Sequence, residues 1–116
     1  MNWNVNDQPA GTRRKAQMLF AVNWVPRGNV TEERDKRTLK LFTNWKPPAG
    51  LDFKGFYDYV DGNGGVAIVE ATSAEVMLEG FAPWAVFFEF TVRPIVSTEQ
   101  STPIFEKAIA WRDSVR

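Results

Sequence analysis

The sequence contains no cysteine and no histidine. Lack of cysteine excludes disulfides, a thiolate nucleophile and iron–sulfur clusters, and suits a reducing compartment. Lack of histidine removes the side chain that titrates near neutral pH, the usual general base and the commonest transition-metal ligand. Only an oxygen-ligand site for a hard cation stays open, and no carboxylates are spaced to form one. Net charge is missing too, since fourteen Lys and Arg balance fourteen Asp and Glu. A chain without excess charge has no electrostatic reason to seek nucleic acid or an anionic membrane. No apolar run approaches the roughly 20 residues of a membrane-spanning helix, and the first residues lack the apolar core of a secretory signal. The expectation is a soluble, cytoplasmic protein that uses no cofactor and no metal.

What the chain has in quantity is aromatic residues: nine Phe, five Trp and two Tyr, 14% of 116 residues. That length makes one domain with a single sizeable core. The organising stretch is Asp61-Gly62-Asn63-Gly64-Gly65-Val66-Ala67-Ile68-Val69-Glu70-Ala71. Gly and Asn tolerate positive φ, so Asp61 to Gly65 predicts a tight reversal. Val66 to Val69 predicts a central strand buried on both faces, with Leu51 to Val60 as its hairpin partner. Strict alternation along that partner puts Leu51, Phe53, Gly55, Tyr57 and Tyr59 on one face, and Asp52, Lys54, Phe56, Asp58 and Val60 on the other. It is the most polar strand, as a sheet edge should be.

Upstream, residues 1–17 are polar and aperiodic and predict a flexible extension, with an edge strand through Trp3 and Val5 as the alternative. Met18 to Pro26 predicts a first, central strand, with Met18, Phe20, Val22 and Trp24 on one face and Leu19, Ala21, Asn23 and Val25 on the other. Thr31 predicts an N-cap, followed by Glu32 and Glu33 at the positive end of a helix dipole. Glu32–Lys36 and Glu33–Arg37 have the favourable i,i+4 orientation. Thr38, Leu41, Phe42 and Trp45 form the buried stripe, and Pro47-Pro48 stops the helix.

Thr72-Ser73-Ala74-Glu75 predicts a capping box opening a second helix with the stripe Val76, Met77, Gly80 and Phe81, ended by Pro83, and Trp84 plugs the end of the core. Val86 to Val96 predicts a fourth strand, with Val86, Phe88, Phe90 and Val92 opposite Phe87, Glu89, Thr91 and Arg93. A last helix starts at Pro103 behind a Thr102 cap, with Ile104, Ala108, Trp111 and Val115 on one stripe and Phe105 and Ile109 widening it. That helix must cover an apolar surface, of its own sheet or of a partner subunit. The order is β-α-β-β-α-β plus a C-terminal helix: an α+β, ferredoxin-like antiparallel sheet with two helices on one face. Residues 18–96 make the domain and residues 97–116 the added helix.

Met18-Leu19-Phe20-Ala21-Val22-Asn23-Trp24, Gly64-Gly65-Val66-Ala67-Ile68-Val69-Glu70, and Trp84 followed by Phe88 through Val96, in that order and spacing, resemble a family of short uncharacterised bacterial proteins. That family is catalogued as a domain of unknown function and placed with the dimeric α+β barrels; the resemblance covers about Met18 to Val96. It implies a homodimer in which two sheets pack face to face across a two-fold axis with the helices outward. It implies no activity, because the family has none established. The wider superfamily includes cofactor-independent monooxygenases, small isomerases and haem-degrading enzymes, and the missing His disfavours haem degradation.

Three functional readings follow. In the favoured one the protein is a homodimeric small-molecule-binding or structural module, which fits neutral charge and the lack of any nucleophile–base pair. In the alternative it is a cofactor-independent enzyme acting on a small apolar or aromatic compound inside the barrel, with Glu89 or Glu70 as base and Asn23 and Tyr57 as donors. Asn23, Tyr57, Tyr59, Glu89 and Arg93 are the candidate ligand-binding residues in either case. Each also has an ordinary structural role open to it, as a strand ion pair or as a tyrosine with its hydroxyl at a wet rim. RNA binding is disfavoured, because Val66-Ala67-Ile68-Val69-Glu70 offers no ring for base stacking.

Overall fold

The computed structural model describes residues 18–116, so the extension expected over residues 1–17 lies outside the described residues. Four strands, β1 (Met18–Pro26), β2 (Leu51–Asp58), β3 (Gly65–Ala71) and β4 (Phe88–Ile95), form one antiparallel sheet in the order β2-β3-β1-β4. Helices α1 (Glu32–Thr43) and α2 (Ala74–Phe81) make the two crossovers, and α3 (Thr98–Ser114) follows β4. This is the ferredoxin-like βαββαβ arrangement with an added C-terminal helix. No helix among the described residues is long and apolar enough to cross a membrane.

The core lies between the sheet and α2. Val22 and Trp24 of β1, Ala67, Val69 and Ala71 of β3, Leu51 of β2 and Met77 of α2 are buried, with Phe20, Phe53, Val76, Phe81, Phe88 and Phe90 packed around them. β3 is buried on one face only. Gly65, Ala67, Val69 and Ala71 alternate with half-buried Val66, Ile68 and Glu70, so the double burial expected of this strand does not occur. Among the described residues no helix covers the second face.

The hairpin joining β2 and β3 forms as the glycines require. Gly62 and Gly64 take positive φ, Asn63 N–H donates to Asp61 Oδ1 at 2.9 Å, and Tyr59 N–H donates to Gly64 O at 2.9 Å. Gly64 is doubly constrained, because a Cβ there would sit 1.8 Å from the Trp24 carbonyl oxygen.

β2 departs from strict alternation. A bulge at Lys54, between the Phe53–Val69 and Gly55–Ile68 pairs, reverses the parity of the residues that follow. Phe56 and Asp58, opposite Ala67 and Gly65, therefore join Leu51 and Phe53 on the helix side, while Gly55 and Tyr57 turn to the uncovered face. Gly55 is the only local sign, since an isolated Gly inside a strand pattern often marks a bulge.

Two helix starts also differ from expectation. Ser73, not Thr72, caps α2 by accepting from Val76 N–H, which leaves Glu75 one position short of a capping box. α3 begins at Thr98, because Ser97 and Gln100 make the full capping box, and Pro103 lies inside the helix. α1 starts where Thr31 predicts, with Thr31 Oγ1 accepting from Arg34 N–H at 3.1 Å. Glu32 and Lys36 pair at 3.6 Å; among the described residues the other ion pair is Lys54–Glu70 at 3.9 Å, and Glu33–Arg37 does not form.

Candidate functional site

α1 does not seal against the sheet. It has no buried residue, although Thr38, Leu41 and Trp45 of its predicted stripe are half-buried. Between it and the sheet lies a cavity of about 660 Å³. Ligand pockets commonly span about 300–1,000 Å³, and this space falls within that range.

Among the described residues nine aromatic rings wall the cavity: Trp24 from β1, Phe42 and Trp45 from α1 and the segment after it, Phe53 and Phe56 from β2, Phe81 and Trp84 from α2 and the 3-10 turn after it, and Phe88 and Phe90 from β4. The rings form one continuous network. Phe53 stacks on Phe56 at 5.0 Å between centroids, Trp24 meets Phe56 edge-on at 5.4 Å, and Trp45 meets Trp84 edge-on at 5.6 Å. Phe42 bridges to Phe56 at 5.7 Å and to Trp84 at 6.1 Å, which ties the α1 wall to the floor. Edge-on and offset contacts of this kind contribute about 0.5–1.5 kcal/mol each beyond the area they bury. They hold the walls in place while the centre stays open.

Polar groups gather at one end. Asp35 and Thr38 of α1 and Asp58 of β2 line the large cavity and also an adjoining one of about 360 Å³, whose wall includes Arg34, Pro26 and Gly64. Asp35, Thr38 and Phe42 recur at i, i+3 and i+7, one face of a helix. Asp35 is therefore a functional candidate that was legible as spacing, though its place in the acidic first turn invites a purely dipolar explanation. Asp58 was not legible, because only the bulge carries it to this side.

Arg34 anchors the roof. Its guanidinium donates to the carbonyls of Arg27, Asn29 and Phe87, the Asn29 bond at 3.0 Å, and lies 5.9 Å from the Phe87 ring centre. Arg27 adds bonds to Ala85 O at 3.1 Å and Phe88 O at 3.3 Å. Arg27 from the β1–α1 connection and Arg34 from the first turn of α1 thus hold the chain that enters β4.

The five residues nominated from the sequence all lie on the uncovered face, across the sheet from this cavity. Tyr57, Val66, Asn23 and Thr91 form one cross-strand row, and the next row holds Gly55, Ile68, Ala21 and Arg93. The Tyr59 hydroxyl donates to Asn23 Oδ1, spanning β3 to join β1. Glu89 stands opposite Val25 at the end of β4, and both Glu89 and Arg93 are exposed without pairing to each other. The structure therefore brings Asn23, Tyr57 and Tyr59 together and leaves Glu89 and Arg93 along the β4 edge.

No curated protein and no solved structure matches the chain. A family model does match, over residues 18–109, from the start of β1 past Val96 and well into α3. The chain belongs to that family, the domain of unknown function DUF3303.

Proposed function

We propose that the protein is a homodimeric small-molecule-binding module whose ligand, an apolar or aromatic compound, lies beneath α1. The observation that carries this is the 660 Å³ cavity with its nine-ring wall. Burying apolar ligand surface supplies the driving force, and rings held by one another need little reordering on binding.

The dimer belongs to the same reading. Leu19, Ala21, Val25, Val66, Ile68 and Ile95 make an apolar strip across the uncovered face, rimmed by Asp52, Glu70, Glu89 and Arg93. An apolar patch inside a polar rim is the usual mark of a protein interface. A second copy packed on this face would close a dimeric α+β barrel with the helices outward. Asn23, Tyr57, Tyr59, Glu89 and Arg93 would then line the space between the sheets, and their common face and the Tyr59–Asn23 hydrogen bond support that role. A bacterial cytoplasmic setting fits the cysteine-free composition.

Binding is favoured over catalysis. Glu89 and Glu70, the carboxylates nominated as bases, lie across the sheet from the aromatic cavity, and Glu70 is paired with Lys54 at 3.9 Å. The direct test is a titration with naphthalene followed by ¹H–¹⁵N NMR. The indole N–H signals of Trp24, Trp45 and Trp84 should shift and saturate, while that of Trp111, on α3 outside the cavity, stays still. Uniform small shifts at all of them, or none, would remove the basis of the proposal.

A further inference from the structure

We infer that the ligand of the aromatic cavity carries a positive charge beside its apolar body, as a compact aryl- or alkylammonium compound does. The inference rests on the binding reading above and adds the ligand's chemical class.

The wall itself is the first reason. A neutral apolar guest is held as well by Leu and Ile as by rings, yet Leu39 is the sole aliphatic side chain among the described residues lining the large cavity. Indole and phenyl faces carry negative charge density and attract cations, Trp most strongly, and Trp24, Trp45 and Trp84 all contribute.

The two aspartates where the cavities adjoin are the second reason. Asp35 and Asp58 come from separate elements and line the junction of the two cavities together. Among the described residues neither is in an ion pair and neither carboxylate accepts a protein hydrogen bond; the two pairs that form are Glu32–Lys36 and Lys54–Glu70. Arg34, the one cation among the described residues on the smaller cavity's wall, gives its terminal nitrogens to the carbonyls of Arg27, Asn29 and Phe87. These three bonds go to backbone carbonyls, not to the aspartates. A cation at this junction meets two carboxylates, and its apolar body points into the rings.

Phenyltrimethylammonium and tert-butylbenzene test this on the full chain, since they match in shape and differ in a charged nitrogen against a neutral carbon. Affinities are read from the same indole N–H signals. The ammonium compound should bind about tenfold more tightly or better. In the Asp35→Asn/Asp58→Asn double variant that preference should fall to within a few-fold. Equal or tighter binding of tert-butylbenzene to the natural chain overturns the charge assignment and leaves the binding site standing. An ammonium preference that survives in the double variant overturns the role of the two aspartates. No shift with either probe removes both the inference and the binding reading beneath it.

Discussion

Gly64 shows how tightly a single residue can couple the organising hairpin to the site. Its φ of 98° excludes ordinary L side chains, and any Cβ would press on the Trp24 carbonyl, so the hairpin tip lies directly against β1. Trp24 is both buried core and cavity wall, and displacing it disturbs both. Gly62 provides the control: its φ is also positive, at 76°, but nothing lies within 4 Å of the Cβ position. Gly62→Ala should therefore cost only the backbone term, about 1 kcal/mol, and Gly64→Ala at least about 2–3 kcal/mol. Urea midpoints of the two variants check this. Equal losses would mean that the close approach to β1 contributes nothing.

Among the elements, α1 decides whether a cavity exists at all. It meets the body through Phe42, through the Trp45 that follows it, and through Arg34 in its first turn, with no buried residue of its own. Arg34→Ala removes three bonds from a charged donor to carbonyls and should cost about 2–3 kcal/mol. The loss should be local. Amide hydrogen exchange should speed up across α1 while β1 and β3 keep their protection; a uniform acceleration would show that α1 is part of the cooperative core. β2 makes the complementary contribution. Its bulge at Lys54 sends Phe56 and Asp58 into the cavity and Tyr57 out, an assignment that strict alternation from Leu51 reverses.

For the whole molecule, the question is what covers the surfaces left bare. The uncovered sheet face is one. The other is α3, which has no buried residue and leaves Ile104, Phe105, Ile109 and Trp111 exposed. The helix expected to cover an apolar surface does not cover its own sheet. Under the dimer proposal, the solution mass should be near twice 13.2 kDa at low micromolar concentration. Ile68→Lys, at the middle of the uncovered face, should halve it without changing the far-ultraviolet circular dichroism. Val60→Lys, at a fully exposed position beyond β2, should leave it unchanged. Light scattering after size exclusion reads both, and a monomeric natural chain would overturn the face-to-face barrel.

Much of this architecture is a local property of the sequence. The alternation of β1 and β4, the turn glycines, the Thr31 cap and the Val76-Met77-Gly80-Phe81 stripe each depend on neighbours a few residues apart, and element order then leads to the βαββαβ sheet. The abundance of rings was equally plain, but their use was not. Trp24, Phe56, Trp84 and Phe90 are far apart in the chain and share a wall only through strand register and the two crossovers. Asp58 reaches that wall because an extra residue in β2 shifts its pairing, and Asp35 because α1 stands off the sheet. Both depend on contacts between distant segments, which periodicity along one segment does not encode. Alternation did place Asn23, Glu89 and Arg93 on their own strands, but only the folded sheet shows that this face and the aromatic cavity lie on opposite sides.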